Sequence, residues 1–132
     1  MNGVGISLSG LQAASAQIAN SANNVANANT TSSAVVNGES RSPAFQPQTL
    51  VRSAVQPTGG VKTELRPRDP ATIPVFSPES GLADENGVVD VPNVDLAEEA
   101  VSQKIATYDF EANLKALEVT DEIMKSLIDI LA

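Results

Sequence analysis

Val4, Leu8, Leu11, Ser15, Ile18, Ala22, Val25 and Asn29 are separated by alternating steps of four and three residues, the spacing of one seam along a helix. Most of that seam is apolar, and the surface around it is Ala, Ser, Asn and Gln, small enough for other backbones to approach closely. Residues 1–38 carry no charged side chain. A helix alone in water turns charge outward, so the uncharged outer face of this one is expected to meet other protein.

A second helix is predicted at the other end of the chain. In Asn93-Val94-Asp95-Leu96-Ala97-Glu98-Glu99, Asp95 is placed to accept from free backbone amides as N-cap, and Glu98 stands three residues on in a capping-box position. From there no glycine or proline interrupts the chain up to Leu131, a run of about 37 residues or ~55 Å of helix. Two apolar stripes run along it. Val101, Ile105, Tyr108, Ala112, Ala116, Val119, Ile123, Leu127 and Ile130 form the first; Phe110, Leu114, Leu117, Met124, Ile128 and Leu131 form the second, broken at Asp121. One N-terminal helix covers only one stripe, and the other requires a partner or a fold-back of the central segment.

The middle of the chain follows a different pattern. All 8 prolines lie between Pro43 and Pro92, which confines chain breaks to this region. Thr49–Val55 and Val61–Leu65 flank Gln56-Pro57-Thr58-Gly59-Gly60 and predict a β-hairpin with glycines at the turn. Prolines 67, 70, 74, 78 and 92 argue against ladder pairing from Arg66 onward, so that stretch is expected to be a loop or strap.

Composition then removes whole classes of function. The 8 Lys and Arg against 16 Asp and Glu give a net charge of -8, unfavourable for nucleic acid or an anionic membrane and favourable to protein partners. With no His, Cys or Trp, the usual general base, the thiolate nucleophile and zinc sites built on imidazole or sulfur are missing. No spacing pairs a Ser, Lys or Asp nucleophile with a base, so no catalytic residue is named and no cofactor or metal is expected. Lys104, Lys115 and Lys125 are widely separated and suit helix ion pairs. Aromatic residues are 3% of the chain, too few to anchor a large globular core. The N-terminal stretch lacks a basic region and a long apolar run of the Sec type, and its seven asparagines oppose a membrane span.

The two ends together carry a resemblance. Ser9-Gly10-Leu11-Gln12-Ala13-Ala14 followed by Asn23-Asn24-Val25-Ala26-Asn27-Ala28-Asn29-Thr30-Thr31 resembles the N-terminal signature of bacterial flagellar rod and hook proteins. Asn93–Glu99 and Glu111-Ala112-Asn113-Leu114-Lys115 resemble the C-terminal helix of the same family, with Phe110 where tyrosine is more usual. The chain has no room for the large inserted β-domains of hook and distal-rod members, and Glu85–Val94 resembles the approach to the last helix in the proximal-rod type. Arg41–Gln48 departs from the Pro-Tyr-Arg-Arg-like stretch common there, which bears on contacts of the central region.

The resemblance implies a mainly α fold, with long N- and C-terminal helices packed as an antiparallel coiled coil around a small central β-hairpin and loop region. The expected divisions are an N-terminal helix in 1–33, the hairpin and Pro-rich loop in 34–92, and a C-terminal helix in 93–132. The function it implies is a structural subunit of the basal-body rod, the drive shaft that transmits motor torque to hook and filament. Such a subunit assembles with its own copies and other rod proteins across the periplasm, after type III export without a cleaved Sec signal. The alternative is a secreted helical-hairpin adaptor or chaperone-like binding module. The expected assembly interface comprises Leu8, Leu11, Ile18, Asn23, Asn24, Val25 and Asn27 at one end of the chain, and Ile105, Tyr108, Phe110, Asn113, Leu114, Leu117, Ile123, Met124 and Leu127 at the other.

Several polar residues have two readings. The asparagine run either frays a helix into a loop or hydrogen-bonds across an interface, and Asn113 suits a register-setting amide. The acids of the C-terminal helix lie on a glycine-free segment without the alternating ligands of a calcium loop, so a solvated or inter-subunit face is favoured. Asp84-Glu85-Asn86-Gly87 is expected to be a simple turn.

Overall fold

The computed structural model describes residues 2–31 and 45–131. The order of elements is α1 (Asn2–Ala26), β1 (Gln48–Ala54), β2 (Val61–Pro67), β3 (Thr72–Phe76), β4 (Val88–Pro92) and α2 (Leu96–Leu131). The expected boundary near residue 33 and the Arg41–Ala44 part of the atypical stretch lie outside the described residues.

Helix α1 stops at the asparagines for a local reason. The Asn27 side-chain amide donates to the Asn23 carbonyl at 2.9 Å and to its Oδ1 at 2.8 Å, and Thr30 Oγ1 donates to the Asn27 carbonyl at 2.7 Å. Side chains that satisfy the last turn compete with its continuation. At the start of α2, Asp95 Oδ1 accepts from the amides of Ala97 and Glu98 at 2.8 and 3.2 Å, which makes it the N-cap. The expected capping box is only half formed, because the Glu98 carboxylate pairs with Arg68 at 3.1 Å.

β1 and β2 form the expected antiparallel hairpin, with Leu50 opposite Leu65 and Arg52 opposite Thr63. Its turn runs through Gly59 and Gly60 at φ of 75° and 102°, a region that residues with a Cβ enter only at a cost. The stretch from Arg66 to Pro92 differs from expectation: β3 and β4 form a second antiparallel ribbon, with Ile73 opposite Val91 and Val75 opposite Val89. The register explains how the prolines are accommodated. The Ser77 amide donates to Gly87 and the Asn93 amide to Ala71, so by alternation Pro74 and Pro92 fall in non-hydrogen-bonded pairs. Their missing N–H groups face outward, and no ladder bond is lost. Pro67 occupies the equivalent position in β2, next to the bond from the Arg68 amide to the Pro47 carbonyl.

The helices run antiparallel, as their contacts show in order: Gly3 lies by Thr120, Gly10 by Asn113, Gln17 bonds Ser102 at 2.6 Å, and Ser21 Oγ donates to the Glu99 carbonyl at 3.0 Å. The first ribbon lies along α1, where the Val61 amide donates to Ser9 Oγ at 3.0 Å and the Asn20 side chain donates to the Gln48 carbonyl at 2.8 Å. Among the described residues, the second ribbon packs against no other helix or strand.

The packed interior is small. Among the described residues the buried apolar side chains are Ala13, Ala14, Ala106, Val89, Pro47 and Pro92, and the closest approach of the helices is lined by glycine, alanine, serine and amide groups. Small residues bring two backbones close together but remove little apolar surface from water. A Cβ at Gly10 would coincide with the Asn113 amide, which itself donates to the Asp109 carbonyl at 2.7 Å. Gly10→Val is therefore expected to force Asn113 out of place and lower the melting temperature, by an amount that strain of about 1–3 kcal/mol produces. Thermal unfolding followed by circular dichroism measures this; an unchanged transition would contradict the close approach.

Candidate assembly interface

Helix α1 turns its small face inward. Gly3, Gly10 and Gln17 contact α2, and Ser7, Ala14, Ser21 and Asn24 continue the same row at steps of three and four. The apolar seam predicted from sequence lies one residue away, rotated by about 100°. Along it Leu11 and Ile18 are half-buried, while Leu8 and Val25 are exposed.

On α2 the second stripe is the one turned toward α1. Phe110, Asn113, Leu117 and Met124 are half-buried and share a face with the buried Ala106 and with Thr120. Leu114, at the margin of that face, is exposed. The place of Leu131 in the stripe lies outside the described side chains. The first stripe is bare: Val101, Ile105, Tyr108, Val119, Ile123 and Leu127 are each more than half exposed, from 53% to 59%. Lys104 Nζ lies 5.0 Å from the centre of the Tyr108 ring, a cation–π contact that leaves the stripe open. Past Thr120, the partner of Gly3, α2 extends beyond the start of α1, and Ile128 and Ile130 stand 65% and 80% exposed.

The asparagines divide between roles. Asn23 and Asn27 form the local stop described above. Asn24 is 1% exposed and is engaged entirely within the chain: its Nδ2 donates to the Gln48 carbonyl at 2.9 Å and to Glu99 Oε1 at 2.9 Å, and its Oδ1 accepts from the Gln48 amide at 3.1 Å. Glu99 is itself 3% exposed and also accepts from Arg68 Nη2 at 3.4 Å. Arg68 further reaches Glu98 and the Asn93 carbonyl. A buried carboxylate is tolerable only with such partners. This clasp joins the end of α1, the open end of the first ribbon and the start of α2. Farther along, Arg52 of β1 pairs with Asp109 of α2 at 2.6 Å. Nothing in the local sequence marks Arg68 or Glu99, because their partners lie 31 and 75 residues apart along the chain.

The acidic turn in the second ribbon is structural. Asp84 Oδ1 accepts from the amides of Asn86 and Val88 at 2.9 and 2.8 Å. The Val88 amide, foremost, holds the Asp84 carboxyl below the ordinary aspartate value. A depressed carboxyl contributes stability above its ordinary pKa and loses it as pH falls through the lowered value. Amide exchange at Asn86 and Val88 is thus expected to stay protected at neutral pH and to be released only as the pH falls below the ordinary aspartate range, with Asp84→Ala unprotected throughout; equal protection in that variant would count against the turn. Among the described residues no cluster of three or more acids is grouped to hold a metal ion, and no helix is long and apolar enough to cross a membrane.

Residues 85–130, the turn after Asp84 and nearly all of α2, match the family described as flagellar basal body rod FlgEFG protein C-terminal. Over 120 residues the chain is 37% identical to the flagellar basal-body rod protein FlgC of Yersinia enterocolitica, covering 88% of this chain and 86% of that one. It is 32% identical over 121 residues to FlgC of Salmonella typhimurium, with the same coverage. A shorter stretch of 51 residues, 39% of this chain and 38% of the relative, is 41% identical to FlgC of Aquifex aeolicus. Two long helices, an unfinished apolar surface and similarity over 88% of the chain agree: the protein belongs to the FlgC family of flagellar basal-body rod proteins.

Proposed function

We propose that this chain is a structural subunit of the flagellar basal-body rod, in its proximal part, and that its terminal helices build the shaft that carries motor torque outward. The bare apolar stripe of α2 carries this reading. A row of large aliphatic side chains along an otherwise charged helix is stable in water only when another surface covers it. The intrachain contact of small residues is narrow, which leaves the large seam of α1 and the stripe of α2 for neighbours. The terminal helices of one chain pack on each other as an antiparallel coiled coil, and in the assembly they meet copies of the chain and other rod proteins. Leu8, Leu11, Ile18, Val25, Ile105, Tyr108, Ile123 and Leu127 are the side chains that meet those neighbours, while Phe110, Asn113, Leu117 and Met124 hold α1 and α2 together. The chain reaches the rod through the flagellar type III export apparatus and acts without catalysis or cofactor.

Isolated basal bodies test the assignment. The chain is expected in the rod fraction at fixed copy number, and a reconstruction of that rod should show α1 and α2 lining it. Recovery of the chain only as a small soluble complex outside the basal body would overturn the assignment in favour of an adaptor.

A further inference from the structure

Charge is unevenly distributed between the two ribbons. The first, with Arg68 at its end, carries Arg52, Lys62, Arg66 and Arg68 against Glu64; the second carries Glu79, Asp84, Glu85 and Asp90 and no base. Arg52 and Arg68 are turned to α2. Lys62 and Arg66 stand on the opposite face of the hairpin from Leu50, Thr63 and Leu65, which line the groove against α1. Lys62 has no ion pair among the described residues, and Arg66 meets only the equally exposed Glu64. The second ribbon ends in Phe76, 72% exposed and on the same face as Asp90. Among the described residues that ribbon packs against no other element of its own chain. A face with Lys62 and Arg66 on either side of Glu64 and an acidic ribbon tipped by an aromatic side chain are thus both present, and among the described residues neither meets the other within one molecule.

We propose that the second ribbon of one copy lies across the outward face of the first ribbon of a neighbouring copy, with Phe76 seated on that face and Glu79, Glu85 and Asp90 directed at Lys62 and Arg66. The occupant is a second copy because the chain itself presents both complementary surfaces, and opposite charge selects partner and register more than it adds affinity. The contact is heterologous: the two patches differ, so each copy gives one and receives the other, and repetition around an axis makes a ring or a helical row. It rests on the assignment as a rod subunit, and adds a connection between copies that the terminal helices do not supply.

Charge reversal in the full-length chain, expressed in motile cells at matched export, tests the contact. Lys62→Glu with Arg66→Glu is expected to lower recovery of the chain in basal bodies about tenfold, as is Glu79→Lys with Glu85→Lys, and the four changes together should restore most of it. All four positions are exposed, and thermal unfolding of each purified variant verifies that folding is intact. A carbodiimide, which joins amines to carboxylates, should link Lys62 of a heavy-isotope copy to Glu79, Glu85 or Asp90 of a light one in wild-type rods. Normal recovery of both reversed pairs, failure of the combined variant to recover, or links from the acidic ribbon only to a different protein would overturn the contact while leaving the rod assignment standing. Absence of the wild-type chain from basal bodies would overturn both.

Discussion

A chain carrying Ile123→Asp is expected to fold as the wild type does and to be missing from the rod. Ile123 is 56% exposed and lies beyond Thr120, the residue that meets the start of α1, so the free subunit has little at stake there. Exposed substitutions of this kind change stability by no more than about 0.5 kcal/mol. Covered by a neighbour, the carboxylate has no partner, and an uncompensated buried charge costs at least ~3 kcal/mol, more than a hundredfold in an association constant. Thermal unfolding of the purified variant and its recovery in basal bodies separate the two effects. Leu117→Asp provides the contrast. That side chain is half-buried on the face toward α1, so its replacement is expected to destabilise the subunit before assembly is reached. Normal swimming by the Ile123→Asp strain would refute the assignment of the bare stripe to an interface.

The second large effect is expected at the clasp. Arg68→Ala removes the cation from Glu99, a carboxylate 3% exposed that retains only the Asn24 amide. Breaking a buried pair in this way costs roughly 3–5 kcal/mol, a large share of the stability of a chain whose buried apolar side chains are three alanines, two prolines and one valine among the described residues. The circular dichroism melt should shift far down or be lost. Glu99→Gln should be much milder, because the neutral amide removes the buried charge while still accepting from Asn24. Equal destabilisation by the two variants would show that the charge at Glu99 is not what Arg68 serves.

The sequence by itself determined the local elements. Asp95 and the breaker-free run behind it set the start and length of α2, the asparagines end α1 through their own side chains, and Gly59 and Gly60 place the hairpin turn, all within a few residues of where they act. Only the tertiary structure decided which faces meet. On α1 an apolar seam and a row of small residues lie one position apart, and periodicity marks the first as the buried one. A pattern of large side chains shows that a face will be covered, but not whether the cover comes from the same chain. Gly3, Gly10 and Ser21 let α2 approach closely, so the small row closes the subunit and the large seam lies to one side of that contact. The second ribbon was hidden for a related reason: prolines oppose a strand only where their N–H would face its partner, and register, which alone says that Pro74 and Pro92 face away, exists once β3 meets β4. Arg68, Glu99 and Asn24 had no signal in common, because a clasp between distant segments is created by the approach of those segments and not by any one of them.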